Sequence, residues 1–311
     1  DYSYIWGEAL DFWETLEPAI RIINLETAVT GSNLFWENKA VNYRMHPDNI
    51  RCLTAAGIDG CALANNHVLD FHEEGLEQTI RTLDQAGIRH AGAGQDIGEA
   101  MEPVVFDVEG PGRVILFSLG MMDSGIPYAW RATEKDPGVF LADPVSATAH
   151  QLRTILDILE QPGDIVVASI HWGSNWGYDI PRRHQEIAHE LIDRAGVDVI
   201  HGHSSHHVLG IEVYKNRPIM YGCGDFINDY EGISGYESFR DDLTMMYFPD
   251  MDPATGELRR FLLVPLQIRK FRLNRASEKD VSWLAGVLTR EGQPFGTSVE
   301  VKEGGMMELR W

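Results

Sequence analysis

Glutamate, asparagine and histidine side chains recur at one kind of place in this chain, just after an apolar run. Glu26 follows Arg21-Ile22-Ile23-Asn24-Leu25, and Asn66 and His67 follow Gly60 to Ala64. His171 closes Asp164 to Ile170, and His201 and His203 close Val197 to Ile200. Each run reads as a buried strand, and in α/β sheets sites form at the carboxyl ends of strands, where loops converge. Nitrogen and oxygen donors without thiolate suit a divalent ion such as Zn²⁺, Mn²⁺, Fe²⁺ or Mg²⁺. One ion, or a pair about 4 Å apart, would activate a water and clamp a phosphoryl or carbonyl oxygen. Of the 12 histidines, His201, His203, His206 and His207 crowd into seven positions. His184 and His189 read as solvated, on a helix whose apolar face is Ile187, Ala188, Leu191 and Ile192. His46, His72, His90 and His150 read as loop or exposed-helix residues. A single histidine at a strand end is more often structural than a ligand. Three such clusters on successive strands favour a shared site.

The elements that must position these residues alternate along most of the chain. Helices are expected over Asp48–Ala56, Glu73–Ala86, Ala147–Leu159 and Arg182–Ala195, several closed by glycines such as Gly57 and Gly87. Val104–Val108 and Arg113–Leu119 read as a hairpin around Gly110-Pro111-Gly112. From Leu209 onward hairpins dominate: Ile211–Tyr214 with Pro218–Tyr221, then Leu243–Phe248 with Leu258–Ile268. Strand–helix alternation followed by hairpins predicts an α/β (α+β) fold, two sheets packed together with helices outside. No internal repeat or flexible linker divides the chain. One domain over residues 1–277 is expected, with a C-terminal extension, 278–311, packed on it.

Composition bounds the function. The 311 residues carry 47 acidic and 26 basic side chains, a formal net charge of −21. Nonspecific nucleic-acid binding depends on Lys and Arg neutralising phosphates, so that class is excluded. No apolar run reaches the roughly 20 residues that span a bilayer. Cys52, Cys61 and Cys223 lack a C-x-x-C spacing, which argues against a disulfide framework and fits a cytoplasmic chain with reduced thiols. A small-molecule or peptide substrate is expected, and an anionic one would need a local reversal of the field, which a metal would provide.

Asn24-Leu25-Glu26-Thr27, Ala64-Asn65-Asn66-His67-Val68-Leu69-Asp70, His171-Trp172-Gly173 and Gly202-His203-Ser204-Ser205-His206-His207-Val208 occur in the order seen in the CapA family of capsule synthesis. Tyr221-Gly222-Cys223-Gly224-Asp225-Phe226 adds to the likeness, which runs from about Tyr4 to Arg275. That family is similar to calcineurin-like metallophosphoesterases. The resemblance implies a four-layer β-sandwich flanked by helices, with metal motifs at strand ends. It implies Glu26 as the metal-bridging carboxylate with Asn24 beside it, and Asn66, His171 and His203 as ligands. His67 would give a proton or hydrogen bond to the leaving oxygen, with Asp70 orienting its ring. The last ligand falls on His206 in preference to His207, because Ser205 stands where the phosphoesterase Gly-His-x-His pattern has histidine.

Two departures stand out. Relatives open with a strand ending in Gly-Asp, and no such segment precedes Tyr4; that strand is expected to lie outside this chain. Asp225 replaces a common Asn and either caps a turn or adds charge near the metals. Trp172, Trp176 and Tyr178 either wall the pocket, with Trp172 touching substrate, or simply pack. Arg182 and Arg183 read as a solvated helix start. The resemblance implies a metal-dependent hydrolase acting on a phosphoester or a γ-glutamyl amide. A peptide epimerase on the same scaffold and a non-catalytic assembly subunit are the alternatives.

Overall fold

Alternation of apolar side chains builds this molecule around one central sheet. The computed structural model describes residues 1–37, 39–142, 145–230 and 233–311. A three-stranded parallel sheet comprises β1 (Ile22–Asn24), β2 (Gly60–Ala62) and β3 (Arg89–Ala91), in that order. The central six-stranded sheet comprises β4 (Val104–Asp107), β5 (Arg113–Gly120), β6 (Ile165–His171), β7 (Val199–His203), β8 (Ile211–Tyr214) and β9 (Arg217–Met220). Its order is β8-β9-β7-β6-β5-β4, with β5, β6, β7 and β9 parallel and a hairpin at each edge. The third sheet has five strands: β10 (Leu243–Asp252), β11 (Glu257–Ile268), β12 (Leu273–Arg275), β13 (Ser298–Val301) and β14 (Met307–Arg310). Because β14 pairs with β11, the C-terminal segment is woven into this sheet.

Successive side chains on a strand point to opposite faces, and the central sheet uses both. Ile115, Phe117 and Leu119 of β5, with Val166, Ala168 and Ile170 of β6, face two helices, α3 (Val145–Leu159) and α4 (Arg182–Glu190). Val114, Leu116, Val167 and Val199 face the other way, onto Phe261 and Leu263 of β11 and helix α5 (Glu278–Gly292). The three-stranded sheet packs with helices α1 (Ala9–Leu16) and α2 (His72–Ala86) and with the Val264–Ile268 end of β11. The fold is therefore mixed α/β, with helices packed on several sheets. Glycine joins the small sheet to the central one: a Cβ on Gly92 would lie 2.4 Å from Ser118 Oγ and 2.8 Å from Ala64 Cβ, and its φ is +99°.

Most expected elements form, with shifted ends. The stretch expected as one helix over Asp48–Ala56 is a 3₁₀ turn, Pro47–Ile50, leading into a short α-helix, Arg51–Ala55. The Arg182–Ala195 helix becomes α up to Glu190 and then a π turn, Leu191–Ala195, ended by Gly196 at φ +82°. Helix α1 was not expected; it tucks Phe12 and Trp13 into the core. Among the described residues no helix is long and apolar enough to cross a membrane.

Candidate functional site

Strand register sets the site before any side chain is considered. On β6 and β7, Val167 pairs with Val199, Ser169 with His201 and His171 with His203. These pairs share the face that buries Val167 and Val199 against the five-stranded sheet. That face thus turns from apolar to polar toward the carboxyl ends. On the small sheet Asn24 is level with Ala62, so the chain leaving β1 brings Glu26 beside the turn leaving β2.

Asn65 locks that turn. Fully buried, it donates through Nδ2 to Asn24 Oδ1 (3.0 Å) and Leu25 O (2.9 Å), while its Oδ1 accepts from the amides of His67 and Val68. Asn24 in turn donates to Glu26 Oε2 at 2.8 Å. Expected beside Glu26, Asn24 has its amide between Asn65 and Glu26, where it orients the carboxylate. Asn66, the next residue, leaves its Oδ1 buried with no partner.

His67 Nδ1 lies 2.5 Å from Asp70 Oδ2, the pairing anticipated from sequence. Lys39 enters the same cluster and was not foreseen: its ammonium donates to Asp70 Oδ1 and to the Asn66 carbonyl, and lies 2.9 Å from His67 Nδ1. It also sits over the Trp130 ring, 5.0 Å from the centroid. The Tyr43 amide donates to Asp70 Oδ2, and its ring packs 4.2 Å from that of His67. The loop carrying Lys39 and Tyr43 has no hydrophobic period and no motif, so nothing in the sequence marks it.

His171 and His203 meet through their Nδ1 atoms at 2.8 Å. His203 Nε2 is 2.9 Å from Ser169 Oγ, which also lies 3.0 Å from His201 Nδ1. Both nitrogens of His203, expected from the resemblance as a metal ligand, lie within hydrogen-bond distance of protein groups, Nδ1 of His171 and Nε2 of Ser169. His171 keeps a buried, unpartnered Nε2, 3.8 Å from Glu26 Oε1. At the rim His206 Nδ1 contacts both oxygens of Asp225 (2.9 and 3.1 Å), and its Nε2 lies 3.2 Å from the Asn175 amide. Asp225 also accepts from Asn228 and Tyr230, so its carboxylate serves neighbouring side chains. The Phe226 ring, packed 6.1 and 6.2 Å from Trp6 and Trp13, anchors this segment. His207 is buried under Trp176 and Phe239.

Two further expectations change. Trp172 is a core residue, not a pocket wall: only 3% exposed, it donates Nε1 to the Tyr221 carbonyl and stacks on Tyr221 and His184. His184, expected in solvent, is buried and bonded to Asp123 Oδ2 at 2.7 Å. Asp123 lies 61 positions away, beyond the reach of a helical-face argument.

Burial dominates the electrostatics. Desolvation, then the charge of Asp225, pushes Glu26 up to about 8. Desolvation pulls His171 down to about 3, helped by His67 and His206, and His203 is lowered well below the usual range. His67 and Lys39 are lowered by burial against the opposing pull of Asp70. Burial would lower His206 too, but the hydrogen bond and charge of Asp225 outweigh it, and His206 is raised.

Among the described residues no three His, Cys, Asp or Glu side chains stand close enough together to hold a metal ion. What remains is the Glu26 carboxylate 3.8 Å from the unpartnered, buried His171 Nε2, and, at the end of β2, the unpartnered, buried Asn66 Oδ1. Two orphaned buried acceptors and a carboxylate suit a divalent cation in kind. A cleft of about 490 Å³ lies elsewhere, at the amino-terminal ends of β6 and β7. Its arginines, Arg153 and Arg217, are already paired with Asp157, Glu160 and Asp198.

Residues 1–230 match the family model for the bacterial capsule synthesis protein PGA_cap. A Mycobacterium tuberculosis protein named "Probable polyglutamine synthesis accessory protein" is 43% identical over 311 residues, 99% of this chain and 82% of its own length. The "Capsule biosynthesis protein CapA" of Bacillus anthracis is 28% identical over 75% of this chain and 53% of its own length. The "PGA biosynthesis protein CapA" of Bacillus subtilis is 28% identical over 79% and 61%. With its strand-end motifs in the family's order and this match over most of its length, the chain belongs to the bacterial capsule synthesis PGA_cap family, the family of CapA.

Proposed function

We propose that this protein is a divalent-metal-dependent hydrolase of phosphoesterase type, on a sandwich of the calcineurin-like metallophosphoesterase kind, acting in capsule or poly-γ-glutamate metabolism. The observation that carries the reading is the pair of orphaned buried acceptors, Asn66 Oδ1 and His171 Nε2, with Glu26 3.8 Å from the latter. Glu26, Asn66 and His171 would hold the ion, and His206 would close the rim with Asp225. A bound ion supplies Lewis acidity and eases deprotonation of a water. With Nδ1 turned to Asp70, His67 has Nε2 left to deliver a proton to the leaving oxygen. Lys39 supplies the local positive charge that an anionic substrate needs on a chain of net charge −21. The relatives named for capsule, PGA and polyglutamine synthesis support the metabolic setting.

The test is elemental analysis of the gently purified chain, with hydrolysis of p-nitrophenyl phosphate and bis-p-nitrophenyl phosphate in Mn²⁺ or Zn²⁺. The expected result is bound transition metal and ester cleavage that His67→Gln lowers by about 10²-fold or more. A chain that holds no metal and cleaves neither ester overturns it. The word "accessory" in the name of the Mycobacterium tuberculosis relative favours a second reading, a non-catalytic assembly subunit. That reading predicts no hydrolysis under any of these conditions.

A further inference from the structure

Where the ladder between β6 and β7 stops, a serine with a strained backbone takes over. The last pair is His171 with His203, and just beyond it the Trp172 amide donates to the His203 carbonyl at 3.1 Å. Ser204, the next residue of β7's chain, has a φ of +114°. Every other non-glycine residue at positive φ, among the described residues, lies between +43° and +62°, in or beside the left-handed helical well. Angles like that of Ser204 otherwise fall to glycine in this chain, at Gly92 (+99°), Gly110 (+109°) and Gly177 (+109°). A Cβ at such an angle costs free energy that glycine would avoid.

The hydroxyl is what a glycine could not supply. Ser204 is only 6% exposed, and its Oγ donates to the Gly173 carbonyl at 3.1 Å, one step past the last backbone bond. Gly173 is held in turn, its amide donating to Asp123 Oδ1 at 3.2 Å. Two residues after Ser204, the His206 amide donates to the Asn175 carbonyl at 3.1 Å. The side-chain bond therefore sits between two backbone bonds, and the three stitch the segment leaving β7 to the segment leaving β6. One segment starts at His171; the other leads to His206.

We propose that Ser204 is a positioning residue, kept at a glycine-like backbone angle so that its hydroxyl ties these two segments together and fixes where His206 stands relative to His171. It acts through His206 and touches neither ion nor substrate. The proposal deepens the metal-binding reading and rests on it for its purpose, since residues brought to one ion from separate strand ends must keep their spacing.

The experiment uses the full chain and two variants that both lack the hydroxyl. Ser204→Gly releases the strain and Ser204→Ala keeps it. At an unstrained position alanine is the more stabilising of the two; here Ser204→Gly should melt a few degrees above Ser204→Ala. Amide hydrogen exchange followed by NMR without added metal should run about tenfold faster at His206 in both variants. Calorimetric titration with Mn²⁺ alone should show about tenfold weaker binding in both, no better in Ser204→Gly than in Ser204→Ala. An alanine variant as stable as the glycine one removes the strain and overturns the proposal. So does His206 exchange that neither variant changes. Mn²⁺ affinity that stays at the wild-type value, or that follows melting temperature from one variant to the other, reduces Ser204 to a structural role and also overturns it. Faster His206 exchange in both variants of a chain whose wild type binds no Mn²⁺ sinks the metal reading and leaves the tie standing.

Discussion

Glu26 and the buried histidines pull pH stability in opposite directions. A carboxyl raised from 4.5 to about 8 holds its proton more tightly folded than unfolded, so its contribution is full below pH 4.5 and lost as pH rises toward 8. His171, His201, His203 and His207 are lowered, so the unfolded chain binds their protons better and stability rises with pH up to about 6.5. Between about pH 6.5 and 8 only the Glu26 loss remains among these groups. Metal-free protein should therefore lose about 1 kcal/mol over that interval, the partial exposure of the side chain having trimmed a larger shift. Urea unfolding at several pH values checks this, and Glu26→Gln should flatten the decline; a decline unchanged in the variant would remove Glu26 as its source. Lys39 offers a second residue-level test. Its charge lowers His67, so Lys39→Met should move the His67 titration upward, followed by NMR.

Elements carry the next set of consequences, because strand spacing holds the histidines in line. Gly202 separates His201 from His203, and a Cβ there would lie 2.4 and 2.6 Å from the carbonyls of Met220 and Tyr221 and 2.7 Å from Trp172 Nε1. Gly202→Ala should cost about 1–3 kcal/mol in denaturant unfolding and weaken divalent-ion binding as well, since β7 must shift away from β9. Leu116, fully buried between the central sheet and the five-stranded sheet, tests the layer itself. Leu116→Ala should cost about 2–5 kcal/mol while leaving the strand-end residues in place. Helix α5 depends on its cap, where Ser277 accepts from the Asp280 amide, and Ser277→Ala should cost about 1 kcal/mol. If that variant were as stable as the parent, the last helix would owe its position to packing alone.

At the scale of the whole molecule, a net charge of −21 surrounds a site that contains Lys39. Like-charge repulsion is long-ranged and screened by salt, so KM for a polyanionic substrate should fall several-fold from about 20 to about 200 mM salt, while that for a neutral ester stays level. Steady-state kinetics across ionic strength measure this directly. The same contrast between local and global separates what could be read in one dimension from what could not. Strand ends bearing Glu26, Asn66, His67, His171 and His203 were legible because an apolar run that stops at polar residues marks a strand and its loop. Gly87 at +71° and the Lys215-Asn216 turn, both at positive φ, were legible because backbone sterics there are local. Lys39 on Asp70, Asp123 on His184 and the burial of Trp172 were not, since each contact spans 31 or more positions and depends on how layers close over one another. His203 makes the same point within a single motif. Sequence alone determined that it ends a strand; only the parallel register of β6 and β7 decided that its two nitrogens lie beside Ser169 and His171, because a side chain's partners are set by which strand lies beside it.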